Sequence, residues 1–77
     1  MSAAEAQEVR NSLLQSNDQY RQLADRHREL DIRLNELAEK HYLSVTEGLE
    51  EVTLKKRKLA LKDQMEEIAR QFRDRAS

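Results

Sequence analysis

Proline and cysteine are missing from this chain, tryptophan with them, and glycine occurs once, at position 48. Without proline, and with a single glycine, a chain in which 38% of residues are charged points to long uninterrupted helices rather than to a sheet. The absence of cysteine excludes disulfides and thiolate chemistry, and it is compatible with any compartment. Aromatics are limited to Tyr20, Tyr42 and Phe72, too few and too scattered to serve as base-stacking platforms. Neither sign of charge dominates: 14 basic residues face 15 acidic ones, so no global field draws the protein to nucleic acid or to an anionic membrane. No apolar run approaches the ~18 residues of a membrane span, and MSAAEAQEVRNS lacks the apolar core of a signal peptide. A cytoplasmic protein of one small domain is expected.

What is present is periodicity. Tyr20, Leu23, His27, Leu30, Leu34, Leu37 and His41 recur at alternating steps of three and four, a heptad seam. Before it, Asn17 suits an N-cap, Asp18 places a carboxylate in the first turn, and Ser16 with Gln19 has capping-box spacing. The pattern predicts a helix over 17–42, a rod of roughly 39 Å at 1.5 Å per residue. Glu29–Arg33 and Glu36–Lys40 are i,i+4 pairs that support it. Residues 1–16 are expected to form an N-terminal extension, partly helical or frayed.

Ser44-Val-Thr-Glu47 is a second capping box, so the chain is expected to turn over 43–46 and to run as a second helix over 46–75. Glu47, Glu50 and Glu51 open that helix, and Arg70, Arg73 and Arg75 close it, the order that complements the macrodipole. Two long helices with a short link form an antiparallel hairpin, levelling Leu30 with Leu59, Leu37 with Val52 and Tyr20 with Ile68. The second helix nevertheless carries two apolar stripes. Leu54, Leu61, Met65, Ile68 and Phe72 lie on one side, with Val45, Leu49, Val52 and Leu59 roughly opposite when each residue advances by about 100°. One stripe can take the seam of the same chain; the other needs a second chain, which favours a homo-oligomer, a four-helix homodimer being the simplest.

The run Asn17, Tyr20, Leu23, His27, Leu30-Asp31, Leu34, Leu37, followed by LKKRKLALKDQM from Leu54 to Met65, resembles the YdcH-like family of small bacterial proteins over roughly residues 17–68. The resemblance implies a helical hairpin and carries no biochemical activity with it. This chain departs from the family pattern at Asp18, where proline is common, at Ile32, where a polar residue is usual, and in its longer segment before residue 16.

Candidate sites are few. His27 and His41 are fourteen residues apart, about 21 Å along a helix, and cannot share a metal within one chain. A packed, register-setting seam residue is the favoured role for His27, ahead of a pH-sensitive interface. KKRK at 55–58 points around most of a helix, and only Lys55, Lys58 and Lys62 form a stripe that could hold an anion or nucleic acid; Glu51 and Asp63 dilute it, and a solvated flank is favoured. No Gly-rich phosphate loop, activated nucleophile or convergent carboxylate pair stands out. The expectation is an all-α, non-catalytic interaction module without cofactor or metal, binding itself and an unidentified protein partner. Its hairpin and oligomer contacts are expected from the seam, both stripes of the second helix, and Val52 and Leu59 in particular. A nucleic-acid-associated role is the alternative.

Overall fold

The computed structural model describes residues 2–76 and is helical throughout its regular structure: α1 (Ala3–Ser16), α2 (Asp18–Ala38) and α3 (Val45–Ala76). No strand occurs among the described residues. α2 and α3 form the antiparallel hairpin, and α1 folds back over its open end. The shape is a rod of 49 × 20 × 19 Å. Its long dimension is set by the 32 residues of α3, about 48 Å at 1.5 Å per residue.

Local chemistry fixes where each helix begins. Ser2 caps α1 by accepting from the Glu5 N–H. The Asn17 backbone is extended, and its Oδ1 accepts from the Tyr20 N–H at 2.8 Å, which starts α2 as the sequence predicts. The Ser16–Gln19 box does not form; the Ser16 hydroxyl instead donates to the Ser12 carbonyl inside α1. At α3 the capping box closes in both directions, Ser44 N–H to Glu47 Oε1 and Glu47 N–H to Ser44 Oγ, each at 3.1 Å.

Two boundaries differ from expectation. α2 stops at Ala38 rather than near 42, and the connection covers 39–44 rather than 43–46. Antiparallel helices lie 8–10 Å apart, and a helix running to Tyr42 would leave one residue before the Ser44 cap to cross that gap. The chain therefore leaves the helix early, and Lys40 reaches across the turn to Glu47. In the segment expected to be partly helical or frayed, α1 is helical from Ala3 to Ser16. Leu13 is 2% exposed within a core formed with Tyr20, Leu23 and Met65, and Val9 and Leu14 pack on its edge. Tertiary contact supplies what a weakly patterned 14-residue helix lacks by itself.

Along the hairpin, Leu61, Ile68 and Phe72 meet this core near the open end, while Leu37 and Leu54 are buried closer to the turn. Asp31 and Lys58 pair across the hairpin, in keeping with the expected register. Leu30, however, shares a recess with Ala60 and Leu61 rather than with Leu59. Leu59 is turned out of the seam, beside Leu34 and Ala38 on the other face of the hairpin.

Candidate interaction surface

α3 separates its two stripes as the 100° rule requires. Leu54 and Met65 are buried against the rest of the chain, and Leu61, Ile68 and Phe72 are half-buried. On the opposite side Val45 is 82% exposed, Leu49 66%, Val52 50% and Leu59 60%. Val45 and Leu59 are fourteen residues apart, about 21 Å of helix. Val52 and Leu59, expected at a hairpin or oligomer contact, thus lie outside the hairpin seam. Of the remaining seam residues, Tyr20, Leu23 and Leu37 are buried, whereas His27, Leu30 and Leu34 are half-covered. Ile32 is exposed by itself on the outer side of α2.

Charges stitch the hairpin from both sides. Arg33 makes a bidentate contact to Glu50, Nε to Oε2 at 3.0 Å and Nη2 to Oε1 at 2.9 Å, and a third bond to Glu36. These hydrogen bonds raise the Arg33 pKa and lower that of Glu50. Neither the Glu29–Arg33 nor the Glu36–Lys40 pair read from the sequence forms. Each cation is taken by a carboxylate of α3, Arg33 by Glu50 and Lys40 by Glu47. The bond from Lys40, followed by that from the Ser44 N–H, holds Glu47 at about 2.

The lysine stripe is largely neutralised. Lys58 pairs with Asp31, whose carboxyl is lowered by that hydrogen bond, and Lys55 lies 3.6 Å from Glu51. Lys62 alone of the three has no ion-pair partner among the described residues; it lines an open groove with Arg28, His27 and Asp25. The histidines are not brought together: His27 is half-buried on α2 and His41 is exposed in the connection. Among the described residues no three His, Asp or Glu side chains gather as a metal site. Burial raises the Tyr20 pKa, an effect of its place in the core rather than of any chemistry there. None of the described helices is long and apolar enough to cross a membrane.

These features define a small all-α protein built on a charged helical hairpin, whose most distinctive surface is an uncovered apolar stripe. The family described as "Protein of unknown function (DUF465)", the YdcH-like proteins, matches residues 21–69, and the chain belongs to it. The matched region spans most of α2, the turn and α3 as far as Ala69, and leaves α1 outside. No curated protein and no solved structure matches the chain.

Proposed function

We propose that the protein is a non-catalytic helical interaction module of the cytoplasm, which self-associates through the outer stripe of α3 and presents the resulting assembly to a protein partner. The observation that carries this reading is the exposure of Val45, Leu49, Val52 and Leu59 on one side of a single helix. An isolated exposed leucine is ordinary, but four large apolar residues in register form a patch of the kind that marks a contact.

The exposed fractions amount to about two and a half whole side chains. At ~1.5–3 kcal/mol for each buried side chain, covering them yields roughly 4–8 kcal/mol per chain, and twice that for a symmetric pair. Association costs an estimated 4–15 kcal/mol. The terms are of similar size, so the assembly is a reversible one that forms as concentration rises. Ion pairing of Lys55 and Lys58 within the chain leaves less support for nucleic-acid binding.

Sedimentation equilibrium across micromolar concentrations tests the reading. A dimer or larger species is expected, together with a melting temperature that rises with protein concentration. A compact monomer throughout, with a concentration-independent melt, would refute it.

A further inference from the structure

Gly48 is the chain's one glycine, and nothing inside the chain requires it. It sits in α3 without a positive φ, and apart from its chain neighbours and the adjoining helix backbone a Cβ built there meets no atom within 4 Å. Glycine in a helix interior weakens the helix relative to alanine, so the position carries a cost with no return from the fold. Its neighbours supply one. Val45, Gly48, Leu49 and Val52 stand at i, i+3, i+4 and i+7, the four positions that form a hole for a knob from a facing helix. Three are exposed apolar side chains and the fourth is a notch where another helix can approach closely. The fourth apolar residue of the stripe, Leu59, is a knob of matching size about ten residues further along.

Resting on the self-association proposed above, we infer that the occupant of this face is a second copy of the chain, running antiparallel, with Leu59 of each copy seated in the Val45–Gly48–Leu49–Val52 hole of the other. A two-fold axis level with Thr53 and Leu54 satisfies both insertions at once, as a self-complementary contact demands. Charge on one flank agrees with that placement. On the flank where Glu51 and Lys55 lie, the axis sets Glu51 of one copy against the partner's Lys55 and the reverse. The two are only 3.6 Å apart within the chain and can share their pairing across the axis. Asp63, on the same stripe and without an ion-pair partner among the described residues, comes level with the first turn of the facing α3. A carboxylate is favoured there by the helix dipole.

The parent protein has no cysteine, so introduced thiols report without background. Gly48→Leu fills the notch. It should weaken dimerisation at least tenfold in sedimentation equilibrium while circular dichroism shows equal or greater helix. Mixing Gly48→Cys with Leu59→Cys and oxidising should give a cross-linked pair containing one of each, in excess over the homodimer of either. A parent that is monomeric at all concentrations overturns both this pairing and the self-association beneath it. A dimeric parent whose affinity survives Gly48→Leu, with no preference for the mixed cross-link, overturns the pairing alone.

Discussion

Replacing Leu59 by lysine should push the protein toward monomer without unfolding it. Leu59 is 60% exposed in the single chain and lies outside the hairpin seam, so an isolated molecule depends on it little. Full burial of a leucine is worth ~1.5–3 kcal/mol, and the exposed part therefore about 1–2. A symmetric pair loses this twice, about 2–4 kcal/mol, which at tenfold per 1.4 kcal/mol weakens dimerisation by roughly thirty- to a thousandfold. An ammonium trapped in the contact would add to the loss. The monomer should change by no more than ~0.5 kcal/mol, the usual range for a solvent-facing substitution. Sedimentation equilibrium gives the affinity, and far-ultraviolet circular dichroism of a dilute sample shows whether the helices persist. A variant that associates as tightly as the parent would show that this side of α3 takes no part in assembly. A variant that loses its helices even when dilute would show that Leu59 belongs to the fold of the single chain.

The converse substitution lies on the buried side. Leu37→Ala, at a residue only 1% exposed, should cost ~2–5 kcal/mol in urea unfolding, and an unchanged midpoint would contradict the packing near the turn. Acid should loosen the hairpin. Glu47, held at about 2 against an ordinary 4.5, stabilises the folded state above 4.5, and that contribution is lost as pH falls toward 2. Asp31 and Glu50, also lowered, act in the same direction. Urea midpoints measured from pH 5 to pH 2 should fall, and Glu47→Gln should make the decline shallower; an equal decline in the variant would remove Glu47 from the explanation.

Features set by neighbours in the chain were the most legible in the sequence. The Ser44–Glu47 box and the Asn17 cap need only three-residue spacing, and both form. The split of α3 into an inner and an outer stripe followed from helical geometry alone, and the exposures agree with it. Choices between competing partners were hidden. Arg33 can reach Glu29 by sequence spacing, but only the hairpin's lateral fit presents Glu50 for a bidentate contact. The early end of α2 depended on the gap the turn must cross. Leu13 carries no local mark of burial; its place in the core exists only once α1 folds back onto Tyr20, Leu23 and Met65.

Asn17 has a consequence for how the molecule opens. Its N–H donates to the Leu13 carbonyl at the end of α1, while its side chain accepts from the Tyr20 N–H at the start of α2. One residue thus terminates one helix and initiates the next, and Leu13 and Tyr20 on either side of it share a core. Unwinding the last turn of α1 releases the Asn17 N–H and loosens the residue whose side chain caps α2. Amide hydrogens at Asn17 and Tyr20 should exchange with solvent in one concerted opening, with a common free energy, so that the joint between the helices behaves as a single cooperative unit.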